Sequence, residues 1–208
     1  MSNGSVFTDI AGKYDTVNRV LSFGQEQKWR QRVVARLPKG RLLDLGAGTG
    51  AANDLFDDHR VVALDPSREM LSVNGETRRL VGVGERLPFE DNVFDAVFSA
   101  YVFRNLDSVD QTLREVARIL RPGGRLGVVG LGRPRNGVLA PIHRAGSAVV
   151  LPLVGLIVGA RQEYVYLHRS LDKLPPPEDL YSHAPLRRVD LWRMGPLGFV
   201  YGTVLEKV

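Results

Sequence analysis

The sequence predicts an α/β fold: a mostly parallel sheet with helices on both faces and an antiparallel hairpin at the C-terminus. Short apolar runs alternate with helical stretches through residues 41–131. Two β-rich runs, RRVDLWRM and LGFVYGTVLEKV, close the chain and are joined through Gly195 and Pro196. The first apolar run, RLLDLGAGTG, ends in glycines that follow an acid. Alternating strands and helices argue for parallel strands covered on both faces. A parallel sheet finishing in a hairpin departs from the usual dinucleotide-binding arrangement.

The elements follow in order. Residues 5–36 read as two helices: Val6, Ile10, Tyr14, Val17 and Leu21 recur at three- and four-residue steps. The second runs from about Gln25 to Leu37 and stops before Pro38. RLLDL, HRVVALD, VFDAVFSA and GRLGVVGL read as strands. Helical stretches are expected near residues 50–58, 66–73 and 108–120, the last with an apolar stripe of Leu113, Val116, Ala117 and Leu120.

The 208 residues make room for one domain, residues 1–208, with a helical cap over 1–40 and a helical substrate lid over 133–182. Hydrophobic residues at 44% and charged residues at 25% are globular in proportion. The chain has no cysteine. That excludes disulfides, thiolate nucleophiles, cysteine-ligated zinc and iron–sulfur clusters. No spacing of metal ligands is evident either, and His59, His143 and His183 stand without a constellation.

The charge is asymmetric. Residues 1–120 carry 16 basic and 17 acidic side chains, whereas 121–208 carry 12 basic and 6 acidic ones. An excess of positive charge in one part points to an anionic surface, lipid or nucleic acid, or simply to an Arg-rich composition, since 23 of the 28 basic residues are Arg. No RNA-binding motif or base-stacking platform is present, so nucleic acid is not the expected partner. Residues 145–160 carry no charge and lie between Arg133, Arg135, His143 and Arg144 on one side and Arg161 on the other. One reading is a buried helix or a homodimer face. The other is a lid over 133–161 that touches an anionic membrane and admits an apolar tail. The start, MSNGSVFTDI, lacks a basic region followed by an apolar run. The expected location is cytoplasmic, peripheral at the inner face of the membrane.

Chemistry concentrates at Asp44-Leu45-Gly46-Ala47-Gly48-Thr49-Gly50. Glycines at a strand-to-helix turn let the backbone approach a ligand, and such turns serve phosphates, NAD and S-adenosylmethionine alike. Here the spacing is G-x-G-x-G. An acid two residues before the first glycine would repel a pyrophosphate and suits a cationic amino-acid ligand. Asp65, followed by Pro66, ends the next strand 21 residues after Asp44. An acid there can accept from ribose hydroxyls. Gly84-Glu85-Arg86-Leu87-Pro88-Phe89 resembles the adenine loop of S-adenosylmethionine-dependent methyltransferases, and Arg121-Pro122-Gly123-Gly124 resembles their helix-to-strand turn. Together these features resemble Rossmann-like class I methyltransferases, and the resemblance implies a mostly parallel seven-stranded sheet with the C-terminal antiparallel hairpin. The resemblance implies S-adenosylmethionine as cofactor, held by Asp44, Gly46, Ala47, Gly48, Thr49, Asp65, Pro66, Val83, Gly84, Ser99 and Ala100.

The flanks narrow the resemblance. Tyr14-Asp15-Thr16-Val17-Asn18, then Leu21-Ser22 and Trp29, resembles the N-terminal signature of the ubiquinone/menaquinone-biosynthesis C-methyltransferase family. Val17 stands for its Met and Glu26 for its His. Phe103-Arg104-Asn105, Leu120 to Leu126, and Tyr164-Val165-Tyr166-Leu167 with Ser170, Leu171 and Pro175 resemble its later segments in the same order. The sequence departs at Val83-Gly84, where the family has Asn-Ala, at Ala100, where it has Ser, and at Gly130-Leu131-Gly132, where it has Glu-x-Ser.

The resemblance implies methylation of a ring carbon on a prenylated quinol. A phenol-type hydroxyl has a pKa near ~10, so its anion costs roughly 4 kcal/mol at neutral pH. A neighbouring guanidinium lowers that cost, and an Arg cannot itself serve as base. Arg104 is therefore the first catalytic candidate and His168 the second, as a neutral base. Tyr14, Tyr101, Asn105, Tyr164 and Tyr166 are the candidates for the acceptor site. Another enzyme reading shares the fold, a phospholipid or small-molecule N- or O-methyltransferase, and a binding-class alternative is an RNA methyltransferase or a basic RNA-binding protein. A third reading is a cofactor-binding scaffold without turnover.

Overall fold

The computed structural model describes residues 24–133, 174–195 and 198–208, with positions 141, 145, 146, 148 and 171. The expected first helix, the 1–40 cap before Gly24 and most of the 133–182 lid lie outside the described residues. So do Tyr14, Tyr164, Tyr166 and His168.

Seven strands form one sheet: β1 (Gly40–Leu45), β2 (His59–Asp65), β3 (Arg79–Val81), β4 (Phe94–Ala100), β5 (Leu120–Leu131), β6 (Arg187–Met194) and β7 (Val200–Glu206). Their order is β3-β2-β1-β4-β5-β7-β6. Strands β1 to β5 pair in parallel, and β7 runs antiparallel to both β5 and β6. The hairpin turn begins at Gly195, whose carbonyl accepts from the Gly198 N–H at 3.2 Å.

Strand alternation sends successive apolar residues to opposite faces. Leu43, Val97 and Val128 pack with Leu113, Val116 and Ile119 of α3 (Val109–Ile119). Leu42, Phe98 and Val129 pack with Trp29, Val33 and Val34 of α1 (Glu26–Val34). Both faces are thus covered, which is why the strands read as continuous apolar runs. Helices α2 (Arg68–Val73) and α3 begin at serines: Ser67 Oγ accepts from the Met70 N–H and Ser108 Oγ from the Gln111 N–H, each at 3.2 Å. A one-turn helix, α4 (Pro177–Leu180), precedes β6.

One expectation is corrected and one strand is added. Residues 50–58 contain only a 3₁₀ turn, Asn53–Leu55. The chain must return to His59 within a few residues, and Asn53 Nδ2 bonds to Asn74 Oδ1 at 2.9 Å instead of continuing a helix. Strand β3, not among the expected strands, is three exposed residues at the sheet edge and too short to show an alternating pattern. Arg121-Pro122-Gly123-Gly124 connects the end of α3 to the regular part of β5, with a register shift against β4 between Phe94 and Ala96. The Gly123 N–H donates to the Lys207 carbonyl at 2.8 Å and the Lys207 N–H to the Gly124 carbonyl at 2.9 Å, so the C-terminal strand pins that turn.

Candidate active site

The strand order reverses between β1 and β4, and a crevice opens beyond the carboxyl ends of strands on either side of such a point. The cavity lies there. Its lining takes Asp44 and the glycine turn from β1, Asp65 and Pro66 from β2, Val83 to Glu85 from the loop after β3, and Ala100, Tyr101 and Asn105 from the segment after β4. Of the eleven expected cofactor residues, only Ser99 is missing from the lining. Its Oγ donates to the Leu45 carbonyl at 2.9 Å in the interior, tying β4 to β1. Ala100, one position on, reaches the cavity.

The glycine turn is held from three sides. Gly46 and Ala47 donate N–H groups to the Leu64 carbonyl at 2.7 and 3.1 Å. Asp65 Oδ2 accepts from the Gly48 N–H at 2.9 Å, while its Oδ1 accepts from the Ser67 N–H at 2.8 Å. Asn74, buried at the end of α2, donates from Nδ2 to the Gly48 carbonyl at 3.1 Å. The loop after β3 is packed on α3: a Cβ on Gly84 would meet Thr112 Cγ2 at 2.9 Å and Oγ1 at 3.0 Å. A side chain there would press on Thr112, so glycine eases the approach of the loop to α3.

Two carboxylates are buried against the cavity. Burial pushes Asp44 up to about 7; the Arg30 guanidinium opposes this, and Asp65 and Glu76 reinforce it. Burial also raises Asp65, against the two N–H groups it accepts from. With Glu85 and Asp107 the described lining has four carboxylates, and Arg30 is its one cation. Such a wall disfavours phosphates and favours a cationic ligand.

Tyr101 adopts a left-handed backbone (φ 64°) although it is not glycine. A non-glycine residue there stores strain of about 1–3 kcal/mol, a mark of functional sites. The 3₁₀ turn Phe103–Asn105 follows. It brings Asn105 to the cavity. Arg104 is half-buried in the same turn and is not among the described lining residues. No group of acids or histidines that could hold a metal occurs among the described residues.

Sequence reasoning missed Arg30, Asn74 and Glu85. Arg30 had a signal, since it directly follows Trp29 of the N-terminal signature. Glu85 lies in the segment that resembles the adenine loop, but its own role and that of Asn74 are exerted on backbone groups and had no signal. Glu85 Oε1 accepts from the N–H groups of Asp107 and Ser108 at 2.8 and 3.1 Å, fixing the entry to α3.

Residues 2–190 match the ubiE/COQ5 methyltransferase family. The chain belongs to that family. Among its relatives, a demethylmenaquinone methyltransferase of Corynebacterium efficiens is 40% identical over 185 residues, 85% of this chain and 80% of the relative. One of Thermus thermophilus is 37% identical over 192 residues, 84% of this chain and 87% of the relative. Solved structures agree on the fold. A putative methyltransferase of Haloferax volcanii, in complex with the Trm112 activator, superposes with a TM-score of 0.63 at 20% identity, covering 97% of each chain. A methyltransferase of Thermotoga maritima described as a possible histamine N-methyltransferase gives 0.63 at 17% identity, covering 99% of each. The protein is thus a class I methyltransferase, and its cofactor is S-adenosylmethionine. No helix among the described residues is long and apolar enough to cross a membrane.

Proposed function

We propose that this methyltransferase methylates a ring carbon of a prenylated, demethylmenaquinol-like acceptor. The observation that carries the reading is the extended similarity to enzymes named demethylmenaquinone methyltransferase, together with a cavity that fits their kind of donor. The cofactor fits the residues present. A carboxylate offers about four lone-pair sites. Two on Asp65 are taken by backbone N–H groups, which leaves acceptors for the two hydroxyls of a ribose. Asp44 offers negative charge to an ammonium or sulfonium group, and the loop at Val83-Gly84 leaves backbone for an adenine edge. When bound, the donor supplies an electrophilic methyl group.

Asp65 also organises the turn, so Asp65→Ala removes ligand contacts and two backbone tethers together. Binding of S-adenosylhomocysteine measured by calorimetry should weaken by about 100-fold, from ~3 kcal/mol of lost charge-assisted bonds. A change under about threefold would remove Asp65 from the cofactor site.

On the acceptor side, Tyr101 and Asn105 reach the cavity. Arg104 is adjacent, where its guanidinium stabilises a developing phenolate without accepting its proton. Arg104→Ala should lower turnover by about 10²-fold, as removal of one oxyanion-stabilising group does, while affinity for the donor stays within about twofold. Equal turnover removes Arg104 from the mechanism. The uncharged run 145–160 with basic residues on either side suits an apolar polyprenyl tail beside anionic headgroups.

The deciding experiment is transfer of a labelled methyl from S-adenosylmethionine to chemically reduced demethylmenaquinone, with products read by mass spectrometry. A ring-methylated product is expected. No product from an enzyme that binds the donor would overturn the acceptor and leave a phospholipid or another small molecule in its place.

A further inference from the structure

Arg30 is an unusual residue in this cavity. It lies on α1 at 4% exposure, and it lines the cavity together with Asp44. Its Nη1 is buried and has no hydrogen-bond acceptor among the described residues. Glu26 Oε1, one helical turn earlier, stands 3.4 Å from Nη1 and makes an ion pair without a hydrogen bond. The Tyr101 ring lies under the guanidinium, 5.5 Å from Cζ to the ring centroid. The strained Tyr101 backbone and the Glu26 charge thus hold the guanidinium in place from two sides. A buried guanidinium N–H without an acceptor is costly, and its fork matches a carboxylate.

We propose that Arg30 receives the α-carboxylate of S-adenosylmethionine, so that Arg30 and Asp44 together read the zwitterionic end of the methyl donor. The inference rests on the donor assignment above and adds a residue to it. Asp65 and the Val83-Gly84 loop belong to the nucleoside end, and Asp44 to the start of the glycine turn. Arg30 supplies the positive charge that an otherwise acidic described lining lacks, and its field is the leading influence that favours ionised Asp44. A ligand with a carboxylate beside an ammonium meets both groups; a nucleoside without that end leaves the Arg30 Nη1 without a hydrogen-bond acceptor and Asp44 without a cation from the ligand.

The test is calorimetric and needs no turnover. The full-length protein is titrated with S-adenosylhomocysteine and with its decarboxylated analogue. Wild type should prefer the carboxylate-bearing ligand by about 10- to 100-fold, the range of a hydrogen bond to a charged group. In Arg30→Met the preference should fall to within about twofold, and Arg30→Lys should keep part of it. The ratio is taken within one protein, so a general loss of stability cancels. If Arg30→Met does not fold, the ratio in Arg30→Lys decides, and an unchanged ratio overturns the proposal. The proposal also fails if the preference survives in Arg30→Met. Survival with loss of methyl transfer would move Arg30 to the acceptor. If wild type binds neither ligand, the donor assignment itself fails, which is a different result from failure of Arg30.

Discussion

Asp44→Asn should make the ligand-free protein more stable at neutral and alkaline pH while weakening its hold on the donor. The carboxyl is pushed from 3.8 to about 7 by burial. An acid whose pKa rises on folding makes the native state bind more protons than the unfolded one between those values. Stability therefore falls as pH rises from about 4 to about 7 and levels off above. A shift of ~3 units at ~1.4 kcal/mol each gives a cost on the order of 4 kcal/mol above neutrality. Asn has no charge to desolvate, so the variant escapes that cost.

The measurement is urea unfolding of wild type and Asp44→Asn without ligand across this pH range. Taking the difference between the two proteins removes the other titrating groups. His59, held below its usual value by burial, loses stability as pH falls, in the opposite sense. The difference should grow steadily up to about pH 7 and then stay constant. A difference that does not vary with pH would show that Asp44 titrates as it does in the unfolded chain. In the wild type, affinity for S-adenosylhomocysteine should fall below about pH 7, as protonation removes the charge that faces the ammonium.

Gly46→Ala should be the most damaging conservative change in the glycine turn. Gly46 sits at φ 75°. A left-handed conformation costs an L-residue about 1–2 kcal/mol. A Cβ there would also run into Val102 Cγ2, with Val102 Cβ and Cγ1 both at 3.2 Å. Overpacking of that kind adds about 1–3 kcal/mol. The expected loss is about 2–5 kcal/mol, together with loss of donor binding, because Val102 leads into the Tyr101–Asn105 segment. Chemical denaturation and calorimetry on the same preparation check it. A loss below about 1 kcal/mol would mean that the turn relaxes and that its geometry is not imposed by β4.

Which residues were legible before the structure follows from the range of the forces involved. Asp44, Gly46, Gly48 and Asp65 are readable because a strand end followed by a tight turn needs local chemistry: an apolar run, a glycine with positive φ, an acid at a fixed offset. Tyr101 and Asn105 were named by resemblance, and both reach the cavity. The phase of β4 was not readable. Ser99 and Ala100 are neighbours, yet one bonds to Leu45 in the interior and the other faces the cavity. Only the register with β1 and β5 decides which is which.

The sequence by itself determined the sheet-forming runs, the hairpin finish, the two acids and the family, because apolar periodicity and turn chemistry act over a few residues. Tertiary structure decided the rest. It reduced residues 50–58 to a single 3₁₀ turn, because the path back to β2 is short. It added the exposed edge strand β3, three residues long, whose pairing with β2 is too short to leave an alternating signature. It also set α1 against the sheet through Trp29 and Val33, and so carried Arg30 into a cavity formed by residues at least 14 positions away in the chain. That placement depends on long-range packing, which no local pattern of residues encodes.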